Sequence, residues 1–216
     1  MLDSINFIDL IVKILALFIA IVGHEIMHGF IALKYGDDTA KLAGRLSINP
    51  IKHIDLLGSI ILPLLLFFTQ APFLFGWAKP VPVDIRKVIQ NGGYGGAIFV
   101  SLAGIAYNIC LALFAAGILR VFDFSADSAF SVIIAYFLAF CVIYNVVLAC
   151  FNLLPIPPLD GSQALGYLSL KFGSDKIPIF FNKIERFGLI IIMMILFFGV
   201  KYISEPMMKV IKLLLG

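Results

Sequence analysis

Charged residues are scarce in this chain. Of its 216 residues only 13% are charged, whereas 62% are hydrophobic. Soluble globular domains carry about 25% charged residues. A water-soluble fold of this length cannot hide so much apolar surface, so the composition excludes a soluble globular protein and predicts an integral membrane protein.

Cysteine pairs and basic clusters are also lacking. Cys110, Cys141 and Cys150 lie in apolar runs, are odd in number and show no CxxC spacing, so we expect neither a disulfide framework nor a cysteine metal site. The formal net charge is only +3 and no basic run is interleaved with aromatic residues, which excludes nucleic acid as a partner. Asp3 and Asp9 stand where a secretory signal has a basic region, so we expect the first apolar run to be retained.

Long apolar runs are abundant. About 20 residues suffice to cross a bilayer, and we predict spans at residues 7–33, 92–119, 130–154 and 187–203. A further run, residues 56–75, is interrupted by glycine and prolines, and the two prolines of GWAKPVPV at residues 76–83 predict an extended segment. A short helix is predicted for residues 163–172.

The first apolar run contains the sequence His24-Glu25-Ile26-Met27-His28, which fits the pattern H-E-x-x-H. On a helix, residues i and i+4 lie on one face about 5–6 Å apart, so two imidazoles can bind one metal ion. The glutamate beside them can deprotonate a metal-bound water. An ionisable group at the centre of a membrane helix costs about 2.5–3.5 kcal/mol or more, so the pattern favours a metal site over a cluster that only pairs helices.

A zinc hydrolase needs a third protein ligand and leaves the fourth position to water. His53 is the other histidine of the chain, but it lies near Lys52 and Asp55 in a polar loop, where a solvated side chain is expected. Asp160 is the better candidate, because it follows a proline-rich helix break and Gly161 allows close backbone approach. Asp160 could instead be the N-cap of the next helix.

At these motifs the chain resembles the site-2 protease family of intramembrane zinc metalloproteases. The resemblance rests on HEIMH at residues 24–28 and on the long, specific match FNLLPIPPLDG at residues 151–161. It extends to GRLSINPIKHIDLLGS (44–59), GWAKPVPV (76–83) and SLAGIAYN (101–108), which resemble the short branch of the family without a PDZ domain.

The resemblance implies a set of roles. His24, His28 and Asp160 would bind one zinc ion per chain, and Glu25 would activate water. Asn152, from the asparagine that opens the second motif, would lie near the metal and orient substrate or stabilise the oxyanion.

Two departures from the family pattern are visible. The usual Ala-Gly-Pro is Ala103-Gly104-Ile105, and the alanine common after the second histidine is Gly29. Neither change falls on a metal ligand. Both concern helix packing near the site.

Charge asymmetry gives an independent view of topology. If residues 56–75 crossed the membrane, His24 and Asp160 would lie on opposite sides and the basic residues would be split almost evenly, against the positive-inside rule. If this segment dips in and returns, the ligands meet. Most basic residues then share one face: Lys34, Lys41, Arg45, Lys52, Lys79, Arg86, Lys87, Lys171, Lys176, Lys183 and Arg186. We therefore expect the N-terminus outside and the active site towards the cytoplasm.

We expect an all-α polytopic membrane protein folded as one metalloprotease domain over residues 1–216. It would be a bundle of about four to six membrane helices or re-entrant segments, with a small β element near the active site. Residues 76–83 are the candidate β edge, which would hold an unwound substrate by strand addition, and a rigid connecting loop is the alternative.

The expected function is that of a zinc metalloendopeptidase that cleaves peptide bonds within or near transmembrane segments, in a bacterial cytoplasmic membrane. Its expected partners are a transmembrane protein or peptide substrate and the lipid bilayer. The alternative is a non-proteolytic membrane metal-binding or transport protein, which should show further intramembrane acids or histidines, or paired repeats. A catalytically silent relative should lack a ligand or the base, yet all four residues are present.

Overall fold

The computed structural model describes residues 2–69, 77–124 and 128–216, which are mostly helical. The α-helices of this part are α1 (Leu2–Lys34), α2 (Thr39–Leu42), α3 (Leu62–Phe68), α4 (Ile85–Val121), α5 (Ala129–Asn152), α6 (Asp160–Lys171), α7 (Lys176–Ile184), α8 (Gly188–Met194) and α9 (Val200–Leu215). Short 3-10 helices occur at Pro50–His53 and Glu185–Phe187, and short π-helices at Leu56–Ile61 and Ile195–Gly199.

Three helical segments in these residues are long and apolar enough to cross a membrane: Ile11–Lys34, Ile85–Val121 and Ala129–Asn152. They correspond to the first three predicted spans. The fourth predicted span, residues 187–203, falls on a pair of helices that meet next to Gly199 and are bent by 75°. If the two bent helices form one span, they add a fourth membrane crossing to the three above. The short helix predicted at residues 163–172 is confirmed as part of α6.

Small side chains hold α1, α4 and α5 together. The buried cluster between these helices includes Ala16, Ala112, Ala115 and Val142, each at most 2% exposed. In lipid no hydrophobic force draws helices together, so packing depends on small residues that let backbones approach. Ile211 of α9 joins the same cluster. The result is a bundle whose central helix, α4, contacts α1, α5, α6 and α9.

The chain returns at Trp77 to the level of Gly58 and Ser59, near the start of the segment that begins at Leu56. The Trp77 N–H donates to the Gly58 carbonyl over 3.1 Å, and the Ser59 hydroxyl donates to the Trp77 carbonyl over 2.8 Å. A helix from Leu56 to Phe68 rises roughly 20 Å at about 1.5 Å per residue, which is short of the hydrocarbon thickness of ~30 Å. The described part of residues 56–75 therefore favours re-entry over a full crossing; residues 70–76 lie outside the description.

The small β element expected at residues 76–83 is not found. Residues 77–83, here called the strap, are non-helical, and no strand occurs in the described ranges; Gly76 lies outside them. Pro80 and Pro82 cannot donate to a ladder. Three of the remaining strap N–H groups bond to irregular partners instead of a second strand: Trp77 N–H to Gly58, Lys79 N–H to His53 and Val81 N–H to the Glu25 carboxylate.

Gly93 divides α4 into two helical pieces. Its φ of 60° and ψ of −166° interrupt the helix, and this region of backbone space is essentially restricted to glycine. The short piece before Gly93 packs on the end of α1, where Val88 contacts Ala32 and Tyr35. Because of the kink, one helix packs both against the end of α1 and in the interior of the bundle.

Replacing Gly93 with alanine should destabilise the fold. The strained backbone would lower the free energy of unfolding by about 1–3 kcal/mol, measured by thermal unfolding in detergent. Gly117→Ala is the matched control, because Gly117 is helical and a Cβ there meets nothing within 4 Å. Equal stability of the two variants would contradict the constraint at Gly93.

Candidate metal centre

Two imidazoles on α1 and one carboxylate on α6 converge at one point. His24 and His28 are one helical turn apart, and their Nε2 atoms lie 3.1 Å from each other. Asp160 is the first residue of α6, and its Oδ2 lies 3.0 Å from His24 Nε2 and 3.3 Å from His28 Nε2. These three form the group of potential metal-binding side chains found in the described residues.

The spacing of these atoms fits one zinc ion. Tetrahedral zinc with bonds of about 2.0–2.1 Å to nitrogen and oxygen places its ligands about 3.3 Å from one another. The three observed separations are 3.1, 3.0 and 3.3 Å. Asp160 Oδ2 is buried and makes no well-aligned hydrogen bond, as expected for an atom that faces a metal. The donor set of two imidazoles and one carboxylate leaves a fourth position for water.

Helix α4 orients both imidazoles through their other nitrogen. His24 Nδ1 donates to Asn108 Oδ1 over 2.6 Å, and His28 Nδ1 donates to the Val100 carbonyl over 2.7 Å. Hydrogen bonds of this kind fix the tautomer and the ring orientation of metal-binding histidines. Both Nε2 atoms therefore face Asp160.

Asn108 is itself held by a buried amide chain. Its side chain is 0% exposed, and its NH2 group donates to the Ala20 carbonyl over 3.1 Å and to Asn145 Oδ1 over 2.7 Å. Asn145 in turn donates to the Cys141 carbonyl. Sequence reasoning assigned no role to Asn108 or Asn145, although a polar amide within an apolar span is a signal that could have found them.

Glycine lets α4 approach the site. A Cβ on Gly104 would lie 2.5 Å from the His24 ring, so a side chain there would displace the imidazole. On α1, a Cβ on Gly29 would lie 2.8 Å from Ala40, Leu46 and Val81. Gly29 departs from the family pattern at the position where the strap packs closely against α1.

Asp160 is not the N-cap of α6, which is the alternative left open by the sequence. Leu159 precedes the helix with extended φ and ψ of −66° and 153°, and Asp160 turns towards α1. Gly161 allows the expected close approach, since a Cβ there would lie 2.3 Å from the Leu153 carbonyl oxygen.

Glu25 and Asn152, the predicted catalytic residues, occupy different settings. Glu25 Oε2 accepts a hydrogen bond of 2.9 Å from the Val81 N–H of the strap. Asn152 is the last residue of α5, and its Nδ2 donates to the Leu148 carbonyl over 3.1 Å. No hydrogen bond of the described residues joins Asn152 to the three metal-binding side chains, so its role stays a prediction.

His53 is neither a ligand nor the solvated loop residue expected from the sequence. It is 2% exposed, and its Nε2 donates to the Ser47 carbonyl over 2.7 Å. Its backbone carbonyl accepts from Lys79 of the strap. The expectation failed because the loop folds back under the strap, a tertiary contact that local polarity does not reveal.

The chain is similar to curated bacterial proteins that carry the name "Putative zinc metalloprotease". It is 37% identical over 155 residues to YwhC of Bacillus subtilis, covering 70% of this chain and 66% of that protein. It is 36% identical over 142 residues to Rip2 of Mycolicibacterium smegmatis and 32% identical to Rip2 of Mycobacterium tuberculosis, covering 66% of this chain and 51% of each relative. The chain thus spans about half to two thirds of the length of these relatives. No family model and no solved structure matches it.

Removing the Asn108 acceptor should weaken the metal site without removing a ligand. We expect Asn108→Leu to lower zinc affinity about 10- to 100-fold, the usual effect of losing a hydrogen-bond partner of a ligating histidine, measured by competition with a chelator. Ser101→Ala is the control, because the buried Ser101 hydroxyl bonds only within α4, to the Ala97 carbonyl. Unchanged zinc affinity in Asn108→Leu would contradict this role.

Proposed function

Because the chain belongs to the site-2 protease family, we propose that it is an intramembrane zinc metalloprotease that hydrolyses peptide bonds within or near transmembrane segments of membrane proteins. The observation that carries the proposal is the meeting of His24, His28 and Asp160 inside a bundle of apolar helices. Glu25 lies beside His24 on the same helix. A soluble protease does not hold its metal-binding side chains between membrane-spanning helices.

The chemistry follows from the roles of the side chains. A bound zinc ion supplies Lewis acidity, which lowers the pKa of water and polarises a carbonyl. Glu25 accepts the proton of the attacking water and later delivers it to the leaving amine. The Val81 N–H holds Oε2 of Glu25, and Oε1 is the oxygen that takes the proton.

Asn152 is proposed to donate to the oxyanion or to the substrate backbone. Its amide carries two N–H donors, and one of them is used by the Leu148 carbonyl. The second hydrogen is available for a ligand. The bond to Leu148 anchors the side chain at the end of α5, just before the loop that leads to Asp160.

The substrate would bind in extended form, because the peptide bonds of a membrane helix are protected by their own hydrogen bonds. The strap is the proposed docking edge. Its residues 77, 79 and 81 bond to one side, whereas the carbonyls of Ala78, Pro80 and Pro82 make no hydrogen bond in the described part of the chain. An edge with free carbonyls can accept N–H groups from an added strand.

The sidedness and partners remain part of the proposal. We propose a multi-pass protein of a bacterial cytoplasmic membrane that acts as a single domain and opens its site towards the cytoplasm. The hydrogen bond between Trp77 and Gly58 supports this sidedness, because a return of the chain at this point leaves most basic residues on one face, as the positive-inside rule requires. The substrate would be a transmembrane protein or peptide that reaches the site from the lipid bilayer.

Glu25→Gln should lower cleavage strongly and retain the metal. The amide keeps the shape of the carboxylate but cannot accept the water proton, so proteolysis of a panel of transmembrane peptides in detergent should fall at least 100-fold while zinc remains at one equivalent. Glu185→Gln, an exposed acid on the helical turn after α7, is the control. Cleavage that persists in Glu25→Gln would contradict the proposal.

Asn152→Ala should lower kcat with little effect on zinc content. Loss of an oxyanion donor costs about 100- to 1,000-fold in kcat, so steady-state cleavage kinetics give the measurement. Asn182→Ala, at an exposed position of α7, is the matched control. A rate in Asn152→Ala equal to that of the wild type would remove this residue from the mechanism.

A further inference from the structure

The strap is anchored along one edge only. The N–H groups of Trp77, Lys79 and Val81, which alternate along the chain, donate to Gly58, His53 and Glu25 in turn. The intervening positions 78, 80 and 82 face away from these partners, as successive residues of an extended chain do. The last bond in the series is the one that reaches the proposed general base.

Two prolines flank the residue that makes this hydrogen bond to Glu25. Val81 stands between Pro80 and Pro82, and proline has no N–H. Within residues 80–82 the Val81 N–H is therefore the single backbone donor, and it lies 2.9 Å from Glu25 Oε2. A carboxylate oxygen held in this way cannot rotate freely, so the direction of the other oxygen is set as well.

Glycine on α1 allows the strap to come this close. Gly29 is one helical turn after Glu25 and lies on the same face. A Cβ at Gly29 would lie 2.8 Å from Cγ1 of Val81. The bare backbone at this position admits the Val81 side chain, which is 7% exposed, and brings its N–H within reach of the carboxylate.

Arg45 also bonds to this edge of the strap, through the Lys79 carbonyl. Its side chain is buried, with 8% exposure, and its Nη2 donates to the Lys79 carbonyl over 2.6 Å. Arg45 forms no salt bridge in the described residues, and its Nε is buried without a partner. Burying a guanidinium without a carboxylate partner is costly, so the burial of Arg45 calls for a role beyond apolar packing.

We propose that the strap is a positioning device for the general base: the Val81 N–H orients Glu25, and Arg45 is a positioning residue that acts through the Lys79 carbonyl. This rests on the proposed proteolytic function. The device holds Oε2 of Glu25 still and directs Oε1 to the water. Arg45 touches neither the metal-binding side chains nor Glu25, so its effect on the reaction passes through the strap.

Two substitutions at Arg45 separate positioning from folding. Arg45→Met keeps an apolar stem without a donor, whereas Arg45→Lys keeps a cationic donor. In steady-state cleavage of one transmembrane peptide, Arg45→Met should lower kcat about 10- to 100-fold, because small misplacements of a catalytic group cost that much. KM should stay within about threefold and zinc at one equivalent. Arg45→Lys should recover most of the rate.

The Glu25→Gln background provides an internal control. With no base to orient, Arg45→Met should leave the residual rate unchanged there. An unchanged kcat in Arg45→Met, a change confined to KM, equal losses in the Met and Lys variants, or an additive loss in the Glu25→Gln background would each overturn the proposal.

A spectroscopic measurement tests the hydrogen bond without activity, and so separates this inference from the proposed function. In protein labelled with 15N-valine, the Val81 amide, assigned by loss of its signal in Val81→Ile, should be shifted downfield. The shift should fall in Glu25→Gln and in Arg45→Met but persist in Arg45→Lys. A Val81 amide that responds to neither Glu25→Gln nor Arg45→Met would overturn the inference even if proteolysis is confirmed.

Discussion

One buried carboxylate converges on two imidazoles, and this contact constrains how α1, α4 and α6 are placed. Asp160 Oδ2 lies within 3.3 Å of both Nε2 atoms, between helices whose buried contacts are mostly apolar. An unpaired charge in such surroundings is expensive. The N-terminus of α6 must therefore meet α1 at the level of His24 and His28, and the proline-rich loop after α5 provides the turn.

Helix α4 makes that meeting possible. It provides the Nδ1 acceptors for both histidines, from Asn108 and from the Val100 backbone, and it packs against α1, α5 and α6. The close approach depends on Gly104, where a side chain would collide with the His24 ring. The α4 backbone and the Asn108 amide chain thus determine the ring orientations, while α1 and α6 provide the ligand atoms.

Much of this arrangement could be predicted from the sequence, because it is written in local patterns. Apolar runs predicted the spans of α1, α4 and α5, and the H-E-x-x-H spacing placed two imidazoles on one helix face. The motif around Asp160 identified the third side chain.

The remainder of the structure depends on tertiary contacts that local sequence patterns do not contain. His53 is buried because its loop folds under the strap, and the strap is not a strand because its donors bond to Gly58, His53 and Glu25.

X-ray absorption of the zinc-loaded protein would identify the metal ligands. We expect one zinc per chain with two imidazole nitrogens and one carboxylate oxygen at about 2.0–2.2 Å, and loss of the oxygen in Asp160→Ala and of one nitrogen in His28→Ala. A zinc environment that is unchanged in both variants would contradict this expectation, because the ion would then be held by other residues.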